Sequence, residues 1–362
     1  MPAPFRWGLL GAGTISRRFG RSLAQAPGHR VVAVASRTAA RAEALARDFG
    51  ATARTEYAAL VERPDVDAVY VGTPTALHAA HARLGLEAGR PVLCEKPLAT
   101  SAEDARALTA LARSQGVFLM EAMWTRFLPA VRATKAALER GDLGEVQLFQ
   151  AELGYRVPYD PTSRFFAREL GGGALLDAGV YPLSLAFHLL GPPVSGHALV
   201  DRAPTGVDRT TLAQLRHAGG AMASIACSFA ERLRNDALLV GEKGRLAIGA
   251  PLYGPTAYRL ERAAAPASGG EDAPPPRWKE HPAVETVLRR VRPLARHARS
   301  RPRVHDFLGA GYHFEALEVA TRVREGALES PTMPLDESVQ ILETIDALLG
   351  PGHFGERPGH VG

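Results

Sequence analysis

The first 122 residues alternate between two textures. Short runs rich in valine and leucine, at 5–11 (FRWGLLG), 30–36 (RVVAVAS), 67–73 (DAVYVGT), 91–94 (PVLC) and 117–121 (VFLME), are separated by segments read as helices, one near 38–49, one near 75–88 and one at 101–115. In the first separating segment Phe19, Leu23 and Ala26 recur at helical spacing. A strand that is apolar on both faces is buried on both faces, and strands of that kind joined by helices make a parallel sheet covered on each side.

After Trp124 the pattern changes. A helix near 127–140 leads into VQLFQAEL (146–153), and HALVDRA, RTTLAQLRH, GAMASIACSF, DALLVGE and GRLAI follow as closely spaced strand-like runs with turn residues between them. That spacing predicts an α+β unit built on a large, mainly antiparallel, open-faced sheet. The expected division is therefore residues 1–123, a nucleotide-binding α/β domain, and 124–362, a domain for substrate and oligomer contacts. Residues 263–303 form a Pro-rich and then basic insertion, and two amphipathic helices at about 304–325 and 335–349 close the chain. With 362 residues, 46% of them hydrophobic, two cores are within reach.

Charge and cysteine narrow the partners. The net charge of +5 is local: residues 277–303 carry nine Lys/Arg against two acids, a surplus of seven that leaves the rest of the chain at −2. The body is thus not built to bind nucleic acid. Two cysteines, Cys94 and Cys227, make no disulfide framework and fit a reducing compartment. The start of the chain has no cationic and then apolar leader, and no uninterrupted apolar run reaches about 18 residues, so no membrane partner and a cytoplasmic location are expected.

GAGTIS, residues 11–16, lies between the first strand and the first helix. Gly11 permits the tight turn there, Gly13 lets a pyrophosphate approach the backbone, and Thr14 and Ile15 open the helix whose N-terminus would hold it. Ser16 stands where a third Gly or Ala usually lies, small enough for helix and strand to stay close. About 20 residues on, the second strand ends in Ser36-Arg37, where an NAD site would carry an acid for the ribose 2′-hydroxyl. Arg37 and Arg41 instead offer guanidinium groups to a 2′-phosphate, so NADP(H) is the expected cofactor. Two solvated surface arginines would look the same in sequence.

Together GLLGAGTIS, VGTPTALH, VLCEKPLA, MEAMWTRFLP and GGGALLDAGVYPLSLAFHLLG resemble the glucose–fructose oxidoreductase / inositol dehydrogenase (Gfo/Idh/MocA) family, most closely its dimeric dihydrodiol dehydrogenase and NADP-dependent xylose dehydrogenase branch. The resemblance continues through GYHFEALEVATRVREG and SPTMPLDES and is weakest over 263–303. It implies a Rossmann domain, a hydride transfer to or from a sugar, polyol or cyclic diol, and a homodimer or higher homo-oligomer formed through the open sheet face. It also implies a cis bond before Pro97, and roles for particular residues. Thr73, Pro74 and His78 would line the ribose and nicotinamide side, and Trp124 and Arg126 would contact nicotinamide or phosphate at the domain junction. His78 also suits a local cap, and Trp124 suits interdomain core.

The Glu95-Lys96-Pro97 stretch sits at the C-terminal edge of the parallel sheet, where such folds bind ligands, and the proline biases Lys96 to an extended backbone. An ammonium there can hydrogen-bond a substrate oxygen and a ribose, the role the resemblance implies; a lysine snorkelling from a strand end is the plainer alternative. If 174–190 is helical, Asp177 and Tyr181, four residues apart, share a face. A tyrosine beside an ammonium is expected to have its pKa lowered from about 10, which suits a general acid/base. The resemblance places the catalytic Tyr or His on this helix with the acid one turn earlier. His188, near the helix end, suits structure better than catalysis. No metal-ligand spacing and no G-x-S-x-G elbow occur. An NADP(H)-binding regulator without turnover, and NAD-dependent glycosidase chemistry, are the competing readings.

Overall fold

The computed structural model describes residues 3–263, 281–284, 287 and 301–355, so the insertion and its basic segment fall almost wholly outside the described residues. Six strands form the first sheet: β1 (Phe5–Leu10), β2 (His29–Ala35), β3 (Thr52–Arg54), β4 (Ala68–Val71), β5 (Val92–Glu95) and β6 (Leu119–Ala122). All pairings are parallel, in the order β3-β2-β1-β4-β5-β6. The order reverses between β1 and β4, which opens a crevice at the carboxyl ends of those strands.

Helices α1 (Thr14–Ser22), α2 (Ala39–Phe49), α3 (Tyr57–Val61), α4 (His78–Glu87) and α5 (Ala102–Gln115) connect these strands. Ser101 shows how local chemistry sets the boundaries: its hydroxyl accepts the Asp104 N–H at 3.2 Å, and Gly116 ends α5 in the left-handed conformation, φ +64°. β4, β5 and β6 are buried at every position. β3 and α3 are too short to register as periodic runs in the sequence.

The second sheet has nine strands, β7 (Val146–Gly154), β8 (Pro193–Arg202), β9 (Asp208–His217), β10 (Met222–Ser228), β11 (Ala237–Gly241), β12 (Gly244–Ile248), β13 (Ala257–Arg262), β14 (Arg303–Val304) and β15 (His353–Phe354), in the order β14-β13-β12-β11-β7-β10-β9-β8-β15. Every pairing is antiparallel except β7 with β10, between which the chain makes a helix and a hairpin. Its inner face buries Phe149, Leu153, Ile225, Leu239 and Leu246, each worth about 1.5–3 kcal/mol against exposure. The outer face leaves Leu199, Leu212 and Met222 exposed.

Helices α6 (Pro129–Glu139), α7 (Val180–Leu190), α8 (His313–Arg324) and α9 (Leu335–Leu349) complete the structure. α8 begins nine residues later than the sequence suggests, because Arg303–Val304 pairs with β13 and Gly309 and Gly311, at φ +76° and +87°, break helical continuity. α9 lies against α5 through Arg106–Glu343, Arg113–Asp336 and the Ala102 N–H to Asp346, so the end of the chain packs back on the parallel sheet's helical layer. The segment Arg168–Leu190 is long and apolar enough to cross a membrane, but 78% of its most apolar window is buried, as in a core helix.

Candidate active site

Two sets of residues meet at the crevice. At the first, Gly11 takes φ +103°, and a Cβ there would stand 2.7 Å from the Gly72 carbonyl oxygen, so no other residue fits the turn without displacing β4's end. Gly13 precedes α1. No side chain caps that helix and no acid occupies its first turn, so its N–H groups and dipole face outward for an anion. The Ser16 hydroxyl is buried without a hydrogen-bond partner, and a Cβ on Gly72 would lie 2.4 Å from it, so a serine fits the third position only because glycine faces it. Thr14 and Ile15 form the outward part of that turn.

Ser36 accepts the Thr38 N–H at 3.3 Å and so shapes the turn after β2. Arg37 and Arg41 are exposed, and among the described residues neither has a carboxylate within ion-pair distance. Burial and, second to it, the charge of Arg37 lower the pKa of the His81 imidazole, which contacts the Thr73 hydroxyl at 3.0 Å and packs its ring 4.3 Å from Tyr57. A glycine turn with an open helix N-terminus and two unpaired guanidinium groups fits a dinucleotide phosphate chain.

The second set centres on Lys96. The Lys96–Pro97 bond is cis, as the resemblance implies. Nζ donates to the Asp177 carbonyl oxygen at 2.7 Å and to its Oδ1 at 2.9 Å, and lies 4.8 Å from the centre of the Tyr181 ring. Residues Leu175–Gly179 form a π-turn ahead of α7. An external ammonium bonded to the Asp177 carbonyl takes an acceptor from the helical ladder, a recognised cause of such distortion. Asp177 and Tyr181 therefore both reach Lys96 across a widened turn in place of an ordinary helical one.

The two ion-pair partners, Lys96 and Arg164, hold the Asp177 carboxyl down at about 2 in spite of burial. Arg164 Nη1 is 3.4 Å from Oδ1, and the Tyr155 hydroxyl donates to Oδ2 at 2.9 Å. Neither residue is singled out by a sequence motif. The period of two along β7 does point to Tyr155, since Phe149, Ala151 and Leu153 face inward and the next inward position is 155.

Tyr181 overturns one expectation. Its pKa is raised, because burial and the carboxylates of Glu95 and Asp177 outweigh the Trp124 indole that favours the phenolate. Lys96 lies over the ring face, with its charge already matched by Asp177, and so does little for the phenol oxygen. Trp124 is buried, 4.5 Å from the ring of Tyr312 and 6.2 Å from that of Tyr253, which itself lies 6.0 Å from Tyr181. Glu95 is buried, accepts the Tyr70 hydroxyl at 2.5 Å and the Lys96 N–H at 3.2 Å, and has its carboxyl pushed up to about 7 by desolvation.

Three residues named from the sequence are enclosed and held in structural bonds or packing. Arg126 is enclosed, its donors spent on the Ser184 hydroxyl (2.8 Å) and carbonyl (2.9 Å), the Thr332 carbonyl (3.1 Å) and Glu337 (2.7 Å), so it ties α7 to the start of α9 and presents nothing to a cofactor. His78 is buried between the Pro97 and Thr73 carbonyls at 2.7 and 2.9 Å, a clamp across the ends of β5 and β4; burial lowers it to about 4. Thr73 and Pro74 remain at the crevice. His188 is buried and kept neutral by desolvation and by Arg126, Lys135 and Arg132. Among the described residues no group of three or more His, Cys, Asp or Glu side chains is placed to hold a metal ion.

A parallel sheet with a pyrophosphate-ready turn, whose edge lysine meets an aspartate and a tyrosine carried by a second sheet's helix, defines a nucleotide-dependent oxidoreductase. The family whose description is "Oxidoreductase family, NAD-binding Rossmann fold" matches residues 5–123, and the GFO/IDH/MocA C-terminal domain matches 131–247. The chain belongs to the Gfo/Idh/MocA oxidoreductase family, and is a dehydrogenase/reductase acting on CH–OH groups. It is 34% identical over 357 residues to trans-1,2-dihydrobenzene-1,2-diol dehydrogenase of Bos taurus (95% of this chain, 97% of that one) and 35% identical over 354 to that of Homo sapiens, with the same coverage. Among solved structures, the aldose-aldose oxidoreductase of Caulobacter crescentus complexed with glycerol shares its fold (TM-score 0.81, 23% identity, 98% of this chain and 100% of that one). KijD10, a 3-ketoreductase from Actinomadura kijaniata in complex with NADP and TDP-benzene, has a TM-score of 0.74 at 28% identity over 95% of this chain and 96% of that one.

Proposed function

We propose that the protein is an NADP(H)-dependent reductase and dehydrogenase of a sugar, polyol or cyclic diol, with Tyr181 as the group that gives and takes the substrate proton. The observation that carries this reading is the contact of Lys96 with both Asp177 and the ring of Tyr181 beside the crevice. When bound, the nicotinamide supplies or accepts the hydride.

The chain's own residues handle the proton. Asp177 stays ionised at all ordinary pH values and takes two of the three Lys96 N–H groups, which leaves one for a substrate oxygen. The raised pKa of Tyr181 keeps its phenol protonated near neutrality, ready to protonate a carbonyl oxygen as it gains charge, so the arrangement favours reduction. Gly11, Gly13, Thr14 and Ile15 would hold the pyrophosphate, and Arg37 and Arg41 the 2′-phosphate. The Tyr253 ring lies 6.0 Å from that of Tyr181 and 6.2 Å from that of Trp124, a group of flat rings beside the phenol that suits a ring-shaped substrate.

The test is to follow cofactor absorbance with a panel of sugars, polyols and cyclic diols and the matching carbonyl compounds, with NADP(H) and NAD(H) side by side. Turnover with NADP(H), faster toward the alcohol, is expected; a chain that binds NADPH and turns over none of the panel would sink the reading.

We also infer a homodimer through the outer face of the nine-stranded sheet, where Leu199 is 73% and Met222 51% exposed. Sedimentation at micromolar concentration should give twice the chain mass, and replacing Leu199 and Leu212 with glutamate should give monomers. A wild-type monomer with full activity would end that inference.

A further inference from the structure

The run Gly171-Gly172-Gly173 ahead of the π-turn has no role in binding or proton transfer, yet it is sterically required. A Cβ on Gly172 would stand 2.8 Å from the Ala167 carbonyl oxygen, and Gly173, at φ +129°, would set one 2.4 Å from Oδ1 of Asp208. Asp208 opens β9 and is 1% exposed. Its Oδ2 accepts the Leu175 N–H at 2.7 Å and the Thr211 hydroxyl at 2.9 Å, while Oδ1 is buried with no hydrogen-bond partner. No ion pair reaches it among the described residues, so its charge is balanced chiefly by the first turn of the helix that carries Asp177 and Tyr181.

We propose that Asp208 is a positioning residue for the proton-handling group: it fixes the first turn at Leu175, two residues before Asp177, in the register where Asp177 meets Lys96 and Tyr155 together. The proposal rests on the reading of Lys96, Asp177 and Tyr181 given above. Asp177 meets Lys96, Tyr155 and Arg164 from within one π-turn, whose wide backbone ring has little stiffness of its own. A carboxylate anchored at the start of β9 supplies the missing constraint, and Gly173 leaves the room for it to close in.

A probe independent of turnover is at hand, because the chain has only four lysines, Lys96, Lys135, Lys243 and Lys279. Biosynthetic labelling with lysine ¹³C-enriched at Cε gives a few resolvable resonances without altering the ammonium, and Lys96→Arg identifies the one from Lys96. In the unsubstituted chain that resonance should show no step between about pH 3 and 5, where Asp177 stays ionised, and only the step that the neighbouring Glu95 imposes near pH 7. In Asp208→Ala the turn is released, Asp177 drifts toward the ordinary range, and the resonance should titrate with a midpoint near pH 4. Asp208→Asn, which keeps an acceptor for Leu175, should fall between them. NADPH affinity by fluorescence should change less than about twofold, and kcat on a confirmed substrate should drop about 10- to 100-fold.

A Lys96 resonance in Asp208→Ala that matches the unsubstituted chain, whatever the change in melting temperature, overturns the proposal and leaves Asp208 a stability residue. Should Asp208→Ala fail to fold, Thr211→Val, which removes one of the carboxylate's two donors, must shift the resonance in the same direction by less; no shift overturns the proposal equally. A shifted resonance with unchanged kcat supports the positioning and overturns the catalytic reading beneath it.

Discussion

The two ends of the crevice treat charge in opposite ways. At the proton-handling end the proposed catalytic group is paired within the chain: Lys96 and Arg164 lie against Asp177, whose other oxygen accepts the Tyr155 hydroxyl. At the proposed phosphate end, Arg37 and Arg41 are exposed and have no ion-pair partner among the described residues, and the first helix has an uncapped N-terminus. The first end is assembled before any ligand arrives, and its geometry is its function. The second is completed by its ligand, so its function is affinity. Substitutions should separate accordingly, with losses of rate at one end and losses of binding at the other.

The largest separation is expected from Tyr181→Phe, which should lower kcat by about 10²- to 10⁴-fold with NADPH affinity unchanged, the usual worth of a positioned general acid. Lys96→Met should cost a similar factor, and the double variant little more than either alone, since both disable one unit. Near-normal kcat in Tyr181→Phe would mean that another group moves the proton.

Next in size is Arg37→Ala, expected to weaken NADPH binding roughly 10- to 100-fold, as for loss of a charge-assisted contact, and NADH binding by less than about threefold. Equal losses for the two cofactors would erase the contrast between the ends, and with it the assignment of NADP(H).

The smallest effect tests whether the assembled end has a cost. Glu95 is held near 7 by burial, above its unfolded value of about 4.3. Between those values the folded chain keeps a proton that the unfolded chain has released, so stability falls as pH rises through that window. Glu95→Gln keeps an acceptor for Tyr70 and removes the titration. Its melting temperature should decline less than that of the unsubstituted chain between about pH 5 and 8, by on the order of a few degrees. Parallel declines would show that Glu95 does not titrate there.

Legibility differed between the same two ends. Gly11, Gly13 and Arg37 could be proposed from sequence because a phosphate turn would be local: strand, glycines and helix follow one another, and the spacing to the end of the second strand is fixed by one βαβ unit. Lys96, Asp177 and Tyr181 were legible through motifs. Tyr155 and Arg164 were not, because their link to Asp177 is made across a sheet and a loop. Nor could sequence show that Arg126, named at a junction, would spend its donors on α7 and Glu337, or that Tyr181's pKa would go up. Those outcomes depend on which carboxylates share its burial, a fact of packing. The fold class was plain from periodicity, while β13, β14, β15 and the late start of α8 escaped: β14 and β15 have two residues each, β13 (AYRLER) is half charged, and α8 is delayed by two left-handed glycines.

The bond between Lys96 and Asp177 joins residues 81 positions apart, one at the edge of the parallel sheet and one on the other sheet's helix. In the order of synthesis, the lysine leaves the ribosome first. At roughly 5–20 residues per second its partner follows about 4–16 s later, so whatever has folded by then carries Lys96 as a hydrated surface charge. The nascent first half therefore has a phosphate-binding turn before it has a proton-handling group, and the desolvation of this ammonium is deferred until its counter-charge has been made.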